Sequence, residues 1–363
     1  MAYTTIDKPT DYFETVLYTG NGASTPSGSG STQTISSLDF APDWVWLKDR
    51  TQSGHNNNLA DTVRGAPNLL FSDTNNAEVT DSTDGFTGFT SNGFTLGDNG
   101  EGTQSLELNK SGNSYVAWTW SAGGSAPAIT YTVKVVSDGG NKYRFDDFGT
   151  SAVTLDLQEG GTYTFDLSDS SNDGHPMKFS ETSNGSHGGG STYSTGVVYQ
   201  LDGASVTEAN YYNTSNFNSA SSRKIIITVS ASAPTLYYFC HYHSGMGGQA
   251  NTNSTHGSSN FSGSVQTTVS ANTTAGFSIC KFTYPSSGNF TFGHGLGVAP
   301  KMFILKGFSN SSALANWQVY HESLGNTFNT QLNYNSASNS GANWWNSTSP
   351  TSTVCTVGSD LVE

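Results

Sequence analysis

Two histidines, a cysteine and a methionine, held in two short segments, are the residues best suited to chemistry in this chain. Gly174-His175-Pro176-Met177-Lys178-Phe179 carries one histidine, and Leu236-Tyr237-Tyr238-Phe239-Cys240-His241-Tyr242-His243-Ser244-Gly245-Met246-Gly247-Gly248 carries the other three. A Cys-x2-His-x2-Met loop joined by a distant histidine presents one thiolate, two imidazoles and one thioether. Soft sulfur donors select copper over hard cations, and three donors on one loop with a fourth from elsewhere impose a geometry between the preferences of Cu(I) and Cu(II). The spacing predicts a type 1 copper site in which His175, Cys240 and His243 form a trigonal plane and Met246 is the weak axial ligand. Zn2+ could take the same donors. The bland alternative is a metal-free loop, with Cys240 a small buried hydrophobe and the histidines hydrogen-bonded around it.

Such a site needs strands to carry its loops. Tyr131-Thr132-Val133-Lys134-Val135-Val136 and Gly161-Thr162-Tyr163-Thr164-Phe165 alternate apolar and polar residues with the period of a half-buried strand, and the second leads through a polar loop to His175. An apolar run, Leu236 to Phe239, leads directly into Cys240. Residues 128–270 therefore read as a separate β-domain.

This segment resembles the cupredoxins over nearly its whole length: a strand, a loop histidine, then a Tyr-Tyr-Phe strand running into the Cys–His–Met loop, with the loop spacing of the short-loop members. The resemblance implies a Greek-key β-sandwich and a copper centre at His175, Cys240, His243 and Met246. One departure is Pro176, where the family often has an asparagine that steadies the cysteine loop from the outer shell, which leaves the redox behaviour open. His241 is expected to be exposed rather than ligating, because Cys240 and His243 already fill the plane. His187, in Gly185-Ser186-His187-Gly188-Gly189-Gly190, reads as a solvated residue at a turn tip.

The flanking segments repeat one another. Phe13-Glu14-Thr15-Val16-Leu17-Tyr18-Thr19 matches Phe277-Ser278-Ile279-Cys280-Lys281-Phe282-Thr283, and Phe40 through Lys48 aligns without gaps on Val298 through Lys306. His55 through Gly65 then answers Trp317 through Gly325, and Phe94-Thr95-Leu96-Gly97 answers Cys355-Thr356-Val357-Gly358. Order and spacing are kept, which favours duplicated β-domains over chance similarity. The first copy continues to a further strand, Tyr115-Val116-Ala117-Trp118-Thr119-Trp120, for which the second has no counterpart. Either a subunit of the same assembly donates a strand to the resulting open edge, or the chain is a cleavage product or partial reading frame. His55, His294 and His321 stand at repeat positions and read as packing or hydrogen-bonding residues.

The opening Met1-Ala2-Tyr3-Thr4-Thr5-Ile6-Asp7, Tyr18-Thr19-Gly20-Asn21-Gly22, the Pro42-to-Lys48 strand and Gly295-Leu296-Gly297-Val298-Ala299-Pro300 with Trp317-Gln318-Val319-Tyr320-His321 resemble the repeats of tail-fibre-like and other virion proteins of marine cyanophages and their relatives. The resemblance covers about residues 1–125 and 271–363. It implies a structural or adhesive protein of the virion surface, made in the host cytoplasm and assembling with itself, as a homotrimer or a filament, and with other virion proteins. Exposed aromatics such as Trp344-Trp345 could contact a host surface glycan, or that pair could equally be core.

Composition limits the remaining classes. Only 12% of the 363 residues are charged while 12% are aromatic, and Asn-Gly turns recur at Asn21, Asn92 and Asn184. Long helical periodicity is absent. The expectation is an all-β chain of tandem sandwich or jelly-roll-like repeats, 1–125 and 271–363, flanking the cupredoxin-like sandwich. A net charge of −14 with 14 Lys and Arg argues against a nucleic-acid partner. No basic stretch followed by an apolar core opens the chain, so no secretory signal is read, and no segment reads as membrane-spanning. Three widely separated cysteines are not a disulfide framework. Neither a Ser/His/Asp elbow nor a paired-carboxylate pattern is present, and His241-x-His243 is the only His-x-His pair. The reading is therefore a non-enzymatic one, with a copper-binding electron-transfer module as the alternative to a purely structural role.

Overall fold

The computed structural model describes residues 6–24, 30–99, 107–123, 126–252, 256–285, 288–309 and 316–361. The fold is all-β, with sheets packed as sandwiches and two short helices, Glu208–Tyr212 and Thr214–Ser219, capped by the side chains of Thr207 and Asn213. Two compact units make up the chain. One joins residues 1–124 to 269–363, and the other is Ser125–Thr268.

In the first unit, Phe13–Thr19, Ser114–Trp120, Trp44–Asp49, Asn58–Asp61, Asn68–Phe71 and Val79–Thr80 form a six-stranded sheet in that order. A three-stranded sheet, Gln33–Ile35, Gly93–Leu96 and Phe86–Thr90, supplies the other layer. Alternation decides the core: Val16, Tyr18, Val45, Leu47, Tyr115 and Ala117 point from the large sheet toward Ile35, Phe86, Phe94 and Leu96 of the small one. Each such side chain taken out of water contributes about 1.5–3 kcal/mol for the larger apolar types.

The second half of this unit repeats the pairing at aligned positions. Trp44 faces Asp61 and Met302 faces His321, and both hairpins run into the same turn, with the Gly65 N–H bonded to the Asp61 carbonyl and the Gly325 N–H to that of His321. Likewise Gln33 faces Leu96, and Phe290 faces Val357. The halves differ at one edge. Trp44–Asp49 is flanked on both sides, by Ser114–Trp120 and by Asn58–Asp61, whereas Met302–Leu305 ends its four-stranded sheet among the described residues. Trp317 packs with Leu59 and Leu70 and donates its indole N–H to the Phe71 carbonyl at 2.7 Å, so the two halves share apolar surface.

Trp345 is core, and the expectation that it meets a surface ligand is corrected here. Its side chain is fully buried, its ring lies 4.8 Å from that of Phe303 and 5.9 Å from that of Tyr320, and its N–H donates to the Phe328 carbonyl. Trp344, its neighbour in the turn over residues 342–347, is only half-buried. The driving force is the large apolar area of an indole in a small sandwich.

The second unit has a six-stranded sheet ordered Asn141–Phe145, Ala128–Ser137, Thr162–Asp166, Arg223–Thr228, Val197–Leu201 and Ala204–Val206. The Ala128–Ser137 and Thr162–Asp166 strands run parallel. Facing it is a four-stranded sheet of Leu155–Asp156, Gly248–Asn251, Leu236–Cys240 and Met177–Ser180. One continuous core, rich in Tyr131, Tyr143, Phe145, Tyr163, Phe165 and Tyr238, fills the space between them and extends to Cys240 and Met246.

Candidate metal centre

His175 stands two residues before the Met177–Ser180 strand begins, and Cys240 ends the Leu236–Cys240 strand that pairs with it. Met177 faces Cys240 in the register, so the two chemically active loops emerge side by side at one end of the four-stranded sheet. The His241 N–H bonds to the Pro176 carbonyl at 2.9 Å and continues this pairing past the strand end. The loop then folds back. Gly247 permits its return, because a Cβ there would lie 1.7 Å from the Tyr238 carbonyl oxygen.

The folding-back brings three donors together. His175, Cys240 and His243 present ligand atoms that all lie within 4.8 Å of one another. The Cys240 Sγ lies 3.5 Å from His243 Nδ1 and 3.8 Å from His175 Nδ1, and the two imidazole centroids are 4.5 Å apart. Bonds of about 2.3 Å to sulfur and about 2.0 Å to nitrogen, at an angle of about 110–120°, would separate the two donors by about 3.5–3.7 Å. The spacing therefore fits a common ion. Cys240 and Met246 are buried, His175 is half-buried and His243 is exposed, so the sulfur side of the site is dry and one imidazole meets solvent.

The electrostatics are those of a neutral donor set. Burial, and then the neighbouring His243, lower the His175 pKa and favour the uncharged imidazole that a metal requires. Burial raises the Cys240 pKa, while hydrogen bonds from the backbone N–H groups of Tyr242 and His243 and from the Tyr143 hydroxyl oppose it. A thiolate in this position is stabilised by those donors and by a cation, and by little else.

Around the donors lie further residues, of which the sequence singled out only His187 and His241. Tyr143, fully buried, bonds through its hydroxyl to the His175 carbonyl at 2.8 Å, and Asn141 places its amide 3.5 Å from His175 Nε2. His187 is exposed, as a turn-tip residue should be, yet its Nε2 donates to the Cys240 carbonyl at 3.0 Å. His241 is not among the converging donors. Its ring stacks on Tyr212 at 4.1 Å, and its Nδ1 accepts from Lys178, a buried cation that also pairs with Glu208. Burial, chiefly, lowers the His241 pKa. No local pattern identifies Tyr143 or His187, because each reaches the loops across more than thirty residues of chain.

The other repeat-position histidines are structural. His55 is buried with Nδ1 2.9 Å from Asp49 and Nε2 3.4 Å from Glu107. His294 is buried, donates from Nε2 to the Thr351 carbonyl and accepts at Nδ1 from the Leu296 N–H. The His321 Nδ1 accepts from the Ser323 N–H.

No helix among the described residues is long and apolar enough to cross a membrane. No curated protein and no solved structure matches the chain. A family model does match, over residues 8–142 and 250–362, which lie on either side of the stretch that holds all four residues of the expected donor set. Those two segments make up about two thirds of the sequence, and the chain belongs to that family, the domain of unknown function DUF7483.

Proposed function

We propose that the protein is a non-enzymatic structural protein of a phage virion surface whose inserted sandwich is a copper-binding, one-electron module. The observation that carries the copper reading is the convergence of one thiol and two imidazoles at 3.5 and 3.8 Å, beside a buried Met246. Cys240 supplies the soft anionic donor, His175 and His243 supply neutral nitrogen, and Met246 supplies a thioether from the apolar side. Copper bound to such a set exchanges one electron between Cu(I) and Cu(II). The paired strands hold the two loops in place, so little reorganisation accompanies a change of charge, and the exposed His243 gives a partner its nearest approach. The test is visible absorption during Cu(II) titration, with Cys240→Ser as control. An intense band that the substitution abolishes is expected; no band in the unsubstituted protein overturns the copper reading.

A specific feature supports the structural part of this reading. Among the described residues the Met302–Leu305 strand is paired on one side, whereas its aligned counterpart Trp44–Asp49 is paired on both, and Met302 is 50% exposed. An open edge of this kind accepts a strand from another copy, in a trimer or a filament. Sedimentation of the unsubstituted protein and of Met302→Lys tests it. Self-association that the lysine reduces is expected, and a monomer at all concentrations overturns it. The burial of Trp345 removes that residue from any glycan contact and leaves the half-buried Trp344 as the more accessible of the pair.

A further inference from the structure

The Asn141–Phe145 strand belongs to the six-stranded sheet, yet it touches both loops of the donor set, which hang from the opposite sheet. Lys142 Nζ bonds to the Gly245 carbonyl, and the Tyr143 backbone N–H donates to the Met246 carbonyl at 3.0 Å. The Tyr143 hydroxyl donates to the His175 carbonyl at 2.8 Å. One residue, with none of its side chain accessible to water, thus bonds to two of the four expected donor residues, one on each loop.

We propose that Tyr143 is the positioning residue of this centre, its backbone N–H holding the Cys240–Met246 loop and its hydroxyl holding the His175 loop to one strand of the opposite sheet. It steadies the two loops in the place that the departure at Pro176 leaves open. A tyrosine hydroxyl has one hydrogen, and here it goes to the His175 carbonyl. With both loops fixed to the same buried residue, His175 keeps its approach to Cys240 and His243 before any ion is bound.

The inference rests on the copper reading, and its test separates the two. In Tyr143→Phe the ring and its packing remain while the hydroxyl is lost. Relative to the unsubstituted protein, the variant is expected to bind Cu(II) about ten- to a hundred-fold more weakly, the usual cost of losing an outer-shell partner. Its charge-transfer band is expected to shift, because the His175 loop is no longer held. In the metal-free proteins, alkylation of Cys240 by iodoacetamide, followed by peptide mass mapping, is expected to be faster in the variant, because the loosened loop admits the reagent to a buried thiol. If the unsubstituted protein shows the band and Tyr143→Phe matches it in band energy and affinity, the role of Tyr143 is refuted and the copper reading stands. If neither protein shows a band, the copper reading fails, and equal alkylation rates then refute the clamp as well. Should Tyr143→Phe not fold, 3-fluorotyrosine introduced at position 143 alters donor strength with little change of shape, and an unshifted band overturns the proposal.

Discussion

Replacing Trp345 by alanine removes an indole from a site with no solvent exposure and leaves the rings of Phe303 and Tyr320 facing a void. Truncation of a buried tryptophan to alanine costs about 3–5 kcal/mol, and the Phe328 carbonyl loses its donor in the same step. Trp345→Phe keeps most of the apolar contact and loses the N–H, so about 1–3 kcal/mol is expected. The sequence offers a clean assay. All seven tryptophans, at 44, 46, 118, 120, 317, 344 and 345, fall in the unit formed by residues 1–124 and 269–363, so tryptophan emission reports that unit alone. With a urea dependence of about 2–3 kcal/mol per molar, Trp345→Ala should move the midpoint down by about 1–2 M. Trp344→Ala, at a half-buried position, should move it much less. Equal shifts for the two substitutions, or no shift for Trp345→Ala, would refute the assignment of Trp345 to the core.

Gly247→Ala places a methyl group against the Tyr238 carbonyl, so the loop must move; Cu(II) affinity should fall at least about ten-fold, and a titration matching the unsubstituted protein would contradict this. Glu208→Ala leaves Lys178, 5% exposed at its side chain, without its carboxylate, and calorimetry should show a loss of about 1–3 kcal/mol, the partly exposed glutamate keeping it below the fully buried case. Lys178→Met, which removes the charge itself, should cost less than Glu208→Ala; the reverse order would sink the argument. His294 bears on pH: burial holds its folded pKa below the ordinary 6.5, so the unfolded chain binds the proton more readily. Its contribution is therefore complete above about pH 6.5 and is lost as pH falls from there toward the lowered folded value. In tryptophan-detected unfolding, His294→Gln should flatten that part of the profile, and an unchanged slope would refute the assignment.

Much of this molecule was legible locally. Strand period is a property of neighbouring residues, so the alternation in Thr162–Asp166 and Phe13–Thr19 gave the all-β class directly. The Cys-x2-His-x2-Met spacing is also local, since donors three residues apart on one loop are close in any compact turn. The aligned Pro42-to-Lys48 and Pro300-to-Lys306 segments announced equivalent strands for the same reason. Three features needed the tertiary structure. Which of Trp344 and Trp345 is core depends on which indole the turn over residues 342–347 directs at Phe303 and Tyr320, and the local sequence leaves that open. The approach of His175 to Cys240 depends on the pairing of Met177 with Cys240 across more than sixty residues. The place of Tyr143 is the most remote of all. Its side chain alternates like that of any strand residue, and only the packing of one sheet on the other brings its hydroxyl to the His175 carbonyl and its N–H to the Met246 carbonyl, because contacts between sheets are set by the shared core and not by the order of residues along the chain.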